Sequence, residues 1–581
     1  MASVALESVP MTGFSFSAID WAVVAGVLLL TSLFGVWFGR GATMREFFLG
    51  GKQLPWWAVS ASIVATEISA LTLVSLPAIV YFEGGTSTYL QLTLIGSVVA
   101  RFAIAWWLVP AYYEQEIYSP YDWVGRRLGE PVRRMMTFLG AVGGTLSQAA
   151  RVYLTAVVLE ILLAGQLAAL EQSTGVPCIA LSIGLISLVA VVWTWLGGIV
   201  TVVWTDVLLF VAFLASSVAV LVWIVSRLDG GMGALWEYGV ESGRARILDF
   251  DTSPTKAYTF WAALLATGFG NIGAYGVDQL MAQRILCCRG VREARLAVTT
   301  SAVAVLVGLL VAWVGIALAA WYAAHPLQGE ALALVQEKRD RILPVFVATT
   351  LPEGLRGFVV AGVFAAAISS LDAVLAALAQ TVLHAWMPNH ARDDGRALRT
   401  SRWLILGFGV LIACVAWAMD PLSRSYTSLL DLGLSMAGYT QGALLAAFLL
   451  ALRWPQVGGS GWLWAAPVSA LMVYAVAWQG AVPQLVVGAS AVVVMALWWS
   501  RRGAASVRQA WGSATWALVF SLVLAWWLAG HGALETEQGP GRPPVLQPLA
   551  WPWYVPLGCA VSMALGVLLA RPGDATRTET P

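Results

Sequence analysis

The chain has 581 residues, of which 59% are hydrophobic and only 11% are charged, whereas a soluble globular protein carries about 25% charged residues. The formal net charge of +1 gives no basic surface for nucleic acid. Apolar runs of about 20 residues recur along the chain, and each can cross a bilayer as a helix. This predicts an all-α polytopic membrane protein and excludes a β-barrel, whose strands would alternate in polarity.

About fifteen membrane spans are predicted in chain order. The first lies near 18–39 and five follow, near 55–81, 86–111, 132–164, 175–196 and 199–226. After a polar loop at 227–256, five more lie near 257–285, 293–324, 345–387, 400–419 and 426–452. The 345–387 region is long enough to hold a surface helix as well as a span. The last four lie near 460–478, 482–500, 511–530 and 551–570, with a Pro- and Gly-rich loop at 531–550.

Arginine and lysine concentrate in alternate short loops, as in "GRRLGEPVRR" at 125–134. Because basic residues mark the cytoplasmic side, this predicts an outside N-terminus and a cytoplasmic C-terminus in the cell's inner (plasma) membrane. The first apolar segment is predicted to stay as an anchor. Arg284, in a basic-rich segment, is interpreted as an ordinary arginine at the cytoplasmic interface.

Two groups of five spans each begin with a span that is interrupted. In "ASIVATEISALTLVSLPA" the carboxylate of Glu67 lies in mid-membrane, and in "ATGFGNIGAYGVDQL" four glycines lie between 268 and 276. Each glycine disfavours a continuous helix by about 1 kcal/mol. Broken helices at matching positions indicate a midplane site between inverted repeats. The alternative is that the glycines serve close helix packing.

A charge at the bilayer centre costs about 2.5–3.5 kcal/mol on insertion scales, so Glu67 needs a reason to be there. It either pairs with Arg101 or Arg151, or it is a ligand for a cation or substrate. The hydroxyls of Thr66, Ser69 and Thr72 are close in sequence, and several oxygen donors in an opened helix suit a hard cation.

Further polar groups interrupt other spans. Ser369 and Ser370, in "AAAISSLDA", either back-bond to the preceding turn or complete an oxygen shell, and Asp372 adds negative potential nearby. Other intramembrane polar groups are Asp206, Asp278, Gln279 and the pair Gln148 and Arg151, an internal counter-charge. No ATP-binding GxxxxGK[ST] occurs, and no GxSxG or HExxH supports an enzyme. The pattern favours a carrier driven by an ion gradient.

The chain resembles the sodium:solute symporter family. The phrases that carry this resemblance are "FFLGGKQLPWWAVSASIVATEISA", "YSPYDWVGRRLG", "TWLGGIVTVVWTDVLLF", "VDQLMAQR", "GLRGFVVAGVFAAAISSLDA" and "YTQGALLAAFLL". The resemblance implies the LeuT fold: two inverted five-helix repeats, with one helix before them and about four after. The implied domains are an N-terminal helix and loop at 1–54, a transport core at 55–454 with repeats near 55–226 and 257–453, and accessory helices at 455–581.

The same resemblance implies functional residues. The expected Na⁺ ligands are the carbonyls of Ala65, Ile68 and Ala366 and the hydroxyls of Ser369 and Ser370. Asp206 and Glu67 are expected to take part in cation coupling. The expected substrate-binding residues are Glu67, Thr72, Gln91, Tyr275, Asp278, Gln279 and Gln441. The family's sugar carriers have asparagine at the position of Glu67 and a longer amide side chain at the position of Thr72. These two differences favour a zwitterionic or carboxylated solute over a sugar.

The predicted function is Na⁺-coupled symport of a small organic solute into the cell by alternating access. The implied partners are the solute, the sodium ion and the lipid bilayer. Proton coupling through Glu67, Asp206 or Asp278 is one alternative. The other is a solute sensor that acts with a separate signalling partner, while a membrane-embedded enzyme lacks its motifs.

Overall fold

The structure is a computed structural model that describes residues 16–38, 52–115, 117, 119–196, 199–391, 393–423, 428–478, 481–502, 534–536, 545–547 and 549–570. The first half contains the helices α1 Ala18–Phe38, α2 Trp56–Glu67, α3 Ala70–Tyr81, α4 Leu92–Glu114, α5 Pro120–Leu128, α6 Glu130–Leu162, α7 Ala164–Thr174, α8 Cys178–Leu196, α9 Ile199–Val225 and α10 Gly231–Glu241.

The second half contains the helices α11 Ala262–Val277, α12 Gln279–Ile285, α13 Val291–Ala324, α14 Gly329–Glu337, α15 Ile342–Thr350, α16 Leu355–Trp386, α17 Asp394–Ser423, α18 Leu429–Arg453, α19 Trp462–Trp478, α20 Ala481–Arg502 and α21 Tyr554–Leu568. Two short antiparallel strands, β1 Leu534–Thr536 and β2 Val545–Gln547, form a hairpin within the predicted Pro- and Gly-rich loop.

The predicted spans coincide with these helices wherever the structure describes them. The predicted span at 511–530 lies outside the described residues, so the count of fifteen stays a prediction. In the described part, nine helices are long and apolar enough to cross a bilayer, and the bent pair α2–α3 makes a tenth candidate. The predicted 345–387 region contains the end of α15 and all of α16. Helix α15 is not the expected surface helix, because Ile342, Val345 and Phe346 are buried. Helix α10, inside the polar loop, was not predicted.

Both predicted spans are interrupted, but the second break falls after the glycines and not among them. Between α2 and α3 the axis bends by 56°, because Ile68 and Ser69 are extended, with φ/ψ of −86°/98° and −102°/178°. Between α11 and α12 the break falls at Asp278, with φ/ψ of −64°/133°. A helix interrupted in this way leaves its last carbonyls and the next amides without helical partners.

The glycine-rich stretch of α11 is itself helical, and the break comes after it. A Cβ on Gly276 would lie 2.6 Å from the Leu108 side chain, and one on Gly273 would lie 3.4 Å from Leu445. These glycines therefore allow close helix packing, which is the alternative left open by the sequence.

The long helix α6 lies at the centre and packs against α8, α16, α17 and α18. Helix α16, which carries the serine pair, also packs against α2 and α9. Its start is capped from a distance by Asp20 of α1, whose Oδ1 accepts the backbone N–H groups of Gly354 at 2.8 Å and Gly357 at 3.0 Å. The first helix thus fixes one end of the helix that carries Ser369 and Ser370.

Candidate functional site

A cavity of about 270 Å³ lies between the two broken helices, and its mostly apolar wall carries several polar side chains. Both breaks contribute to its wall, together with α4, α6, α16, α18 and the segment before α21. The predicted substrate residues that line it are Glu67, Thr72, Tyr275, Asp278, Gln279 and Gln441. Gln279 is 3% exposed, and its amide has no hydrogen bond within the part of the chain described here.

Gln91 is the predicted substrate residue that the fold places elsewhere. It is fully buried, its Nε2 donates to the carbonyl of Tyr258 at 2.8 Å, and its Oε1 accepts the N–H of Asp249 at 3.3 Å. Its amide therefore holds the loop before α11, and its predicted role in substrate binding stays a prediction.

Glu67 is paired. Its carboxylate forms an ion pair with Arg101 and accepts the Tyr275 hydroxyl at 2.7 Å. Arg101 is 1% exposed, and its Nε donates to the Ser301 hydroxyl at 2.9 Å. Pairing with Arg101, one of the alternatives left open by the sequence, is present and neutralises this largely buried carboxylate. The expected roles of Glu67 in cation coupling and substrate binding stay predictions.

Arg151 lies in the middle of α6 and faces the same cavity without a carboxylate partner among the described residues. Its Nη1 donates to the carbonyl of Thr66 at 3.3 Å, while its buried Nε has no hydrogen bond in the described part of the chain. Gln148, one turn away on the same helix face, also lines the cavity with an unbonded Nε2. A guanidinium with free donors beside a free amide is suited to bind a carboxylate.

The residues implied as Na⁺ ligands lie on two helices in contact. Ala65 and Ile68 lie at the break after α2, and Ala366, Ser369 and Ser370 lie on α16, which packs against α2. The Ser370 hydroxyl donates to the carbonyl of Ala366 at 3.1 Å, and the Ser369 hydroxyl donates to Asp206. Carbonyl and hydroxyl oxygens are ligands that suit a hard cation.

Arg284 is not an interfacial arginine, as the sequence suggested, because its side chain is fully buried. Its Nη2 lies 3.1 Å from Asp206 Oδ2, and its Nε donates to Ser62 Oγ at 2.9 Å. Ser62 Oγ in turn donates to Asp206 Oδ2 at 2.5 Å. With Ser369, this cluster joins α2, α9, α12 and α16. A carboxylate inside a membrane span requires a positively charged partner, but the sequence does not show which residue supplies that charge.

Asp372 lies one turn beyond Ser369 on α16 and is 3% exposed. Its Oδ1 has no hydrogen bond within the described residues. The structure therefore places Asp372 near the serine pair, and the negative potential expected from it stays a prediction.

Two interrupted helices that line one internal cavity are the architecture of a secondary transporter. The model of the sodium:solute symporter family matches residues 47–468, and the chain belongs to this family. The mouse sodium-coupled monocarboxylate transporter 2 is 29% identical over 77% of this chain and 70% of that protein. The human sodium-coupled monocarboxylate transporter 1 is 25% identical over 77% of this chain and 71% of its own length.

A solved structure of a substrate-bound, outward-open Na⁺-coupled sialic acid symporter superposes with a TM-score of 0.67. The two sequences are 23% identical, and the superposition covers 79% of this chain and 92% of the symporter chain. The fold is therefore the predicted LeuT fold, and Na⁺ is the coupling ion of the transporters to which this chain is related.

Proposed function

We propose that the protein is a symporter that uses the Na⁺ gradient to carry a small monocarboxylate through the cavity by alternating access. The observation that carries the choice of solute is Arg151, a guanidinium that faces the cavity with no carboxylate paired to it in the described chain. The relatives named for sodium-coupled monocarboxylate transport agree with it.

Charge pairing favours an anion over a zwitterion. In the described chain, the acids of the cavity wall are Glu67 and Asp278. Arg101 and the Tyr275 hydroxyl already occupy Glu67. Asp278 Oδ1 accepts the N–H of Leu280 at 2.8 Å. Arg151 remains as a positive charge, and Gln148 offers a further donor. An arginine binds a carboxylate with two parallel hydrogen bonds, so the carboxylate is expected to lie against these two side chains.

The proposed Na⁺ site consists of the carbonyls of Ala65, Ile68 and Ala366 and the hydroxyls of Ser369 and Ser370. Because Ser369 donates its proton to Asp206, the lone pairs of its oxygen are free to face an ion. An ion held there would tie the break after α2 to α16. It couples to the solute only if it binds one conformation better than the other.

Thr72, Tyr275, Asp278, Gln279 and Gln441 are proposed to contact the remainder of the solute, since all of them line the cavity. The boundaries of the transport core at 55–454 and an outside N-terminus are further parts of the proposal. Placement of basic residues in alternate short loops supports this orientation.

The solute assignment is tested by uptake of radiolabelled lactate, pyruvate and nicotinate into proteoliposomes with an inward Na⁺ gradient. Arg151→Gln is expected to abolish uptake of every monocarboxylate that the protein carries. Arg134→Gln is the matched control because Arg134 is on the same helix but half exposed. Uptake of a neutral sugar instead, or undiminished monocarboxylate uptake by Arg151→Gln, would show that the solute is of another class.

The ion assignment is tested by comparing imposed Na⁺ and H⁺ gradients. The double change Ser369→Ala with Ser370→Ala is expected to remove the stimulation by Na⁺. Ser182→Ala is the control, since Ser182 is also fully buried in a helix and only back-bonds, to the carbonyl of Cys178 at 3.0 Å. Uptake driven equally well by H⁺ alone would favour the proton-coupled alternative, for which Glu67, Asp206 and Asp278 are the acids to change.

A further inference from the structure

One end of the cavity is covered by chain from outside the ten-helix core. Trp551 and Pro552, which precede α21, line the cavity next to Tyr89 and Leu430. Trp551 does more than fill space, because its indole Nε1 donates a hydrogen bond of 2.8 Å to Asp431 Oδ1. This contact joins the C-terminal segment to the first turn of α18.

The same carboxylate oxygen of Asp431 receives a second donor. The Tyr258 hydroxyl, from the loop before α11, donates to Oδ1 at 2.7 Å. The Tyr258 ring meets Tyr89 edge-on, with 5.6 Å between the ring centroids. Three parts of the chain that are distant in sequence therefore meet at one oxygen atom at the end of the cavity.

The segment before α21 is also tied directly to that loop. The N–H of Ala550 donates to the carbonyl of Pro254 at 3.0 Å, and Gln91 Nε2 donates to the carbonyl of Tyr258 at 2.8 Å. Hydrogen bonds thus link the loop, Trp551 and Asp431. We expect these bonds to form together when this end of the cavity closes and to break together when it opens. In the proposed orientation, this end of the cavity faces the outside.

We propose that Trp551 is a positioning residue that closes the outer end of the solute cavity through Asp431. The proposal rests on the proposed function, because it takes the cavity as the path of the solute. Alternating access requires a barrier on one side whenever the other side is open. Two hydrogen bonds to one carboxylate form such a barrier, and their loss favours the conformation that is open to the outside. The C-terminal segment is then a working part of the transporter and not only an accessory to the core.

The test measures how fast a cysteine behind the closure reacts with a membrane-impermeant thiol reagent. Ala437→Cys places the thiol on the cavity wall, further along α18 than Asp431. The background carries Cys178→Ser and Cys414→Ser, since the other three cysteines are buried. Reagent is added separately to right-side-out and inside-out vesicles, with neither Na⁺ nor solute needed.

Trp551→Phe keeps an aromatic ring but removes the donor. It is expected to raise the rate of labelling from the outside about tenfold, close to the lower limit for a hydrogen bond to a charged group. Trp553→Phe is the matched control, because the buried Trp553 Nε1 has no hydrogen bond among the described residues. Asp431→Asn is a second variant. It keeps an oxygen acceptor but loses the charge that strengthens both hydrogen bonds, so it is expected to act in the same direction as Trp551→Phe with a smaller effect.

Equal labelling of the Trp551→Phe and Trp553→Phe proteins, with Asp431→Asn also unchanged, would overturn the proposal. If Trp551→Phe does not fold, the Asp431→Asn protein decides alone. Failure of Na⁺-driven uptake would refute the proposed function. The difference in labelling rate between the Trp551→Phe and Trp553→Phe proteins could still be measured, so the two proposals can fail independently.

Discussion

The buried pair of Arg284 and Asp206 allows a quantitative prediction about stability. Both side chains are 0% exposed, and Nη2 and Oδ2 are 3.1 Å apart. At an effective dielectric constant of about 20, two unit charges at that distance attract by about 5 kcal/mol. Removing one partner leaves the other charge buried without compensation, which typically costs about 3–5 kcal/mol.

Arg284→Met is therefore expected to lower the free energy of unfolding by about 4 kcal/mol, and Asp206→Asn by a similar amount. The double variant is expected to lose less than either single variant, because no unpaired charge remains in the interior. The measurement is unfolding in mixed micelles by titration with a denaturing detergent, followed by circular dichroism.

Arg134→Met is the control for loss of an arginine. Arg134 and its partner Glu130 are 51% and 46% exposed, and an exposed pair contributes about 1 kcal/mol or less. If Arg284→Met costs no more than this control, or if the double variant is less stable than both single variants, the reasoning from buried charge is refuted.

Three further predictions use the same unfolding measurement. Gly442→Ala is expected to lower the free energy of unfolding by about 1–3 kcal/mol, because its Cβ would lie 2.6 Å from a backbone oxygen of α21. The control Gly407→Ala, whose Cβ would have nothing within 4 Å, is expected to be neutral or stabilising. Equal effects of the two changes would contradict this prediction. Asp20→Ala is expected to cost about 1.5–3 kcal/mol, because two backbone N–H groups at the start of α16 lose their acceptor, and an unchanged stability would rule out the cap. Glu67→Ala is expected to destabilise more than Glu67→Gln, because only the glutamine keeps an acceptor for the buried guanidinium of Arg101, and the reverse order would show that the pair has no structural role.

The positions of the membrane helices were predictable because each depends on a local property. An apolar run of about 20 residues spans a bilayer whatever surrounds it, and the extended backbone at Ile68 and Ser69 follows directly after the intramembrane Glu67. The second break was predicted less well. The glycines suggested an interruption within 268–276, but this stretch is helical, and its missing side chains leave room for Leu108, Leu445 and Val555 to pack beside it.

The sequence by itself determined that this is a polytopic helical membrane protein of the sodium:solute symporter family, with two broken helices and several ionisable groups inside the membrane. Only the tertiary structure decided which of these groups neutralise one another. Asp206 pairs with Arg284, 78 residues away in sequence, and accepts a hydrogen bond from Ser369, 163 residues away. Glu67 pairs with Arg101, so Arg151 faces the cavity without a carboxylate partner among the described residues. The physical reason is that a buried charge requires a partner of opposite sign, but helix packing across the whole chain selects the partner.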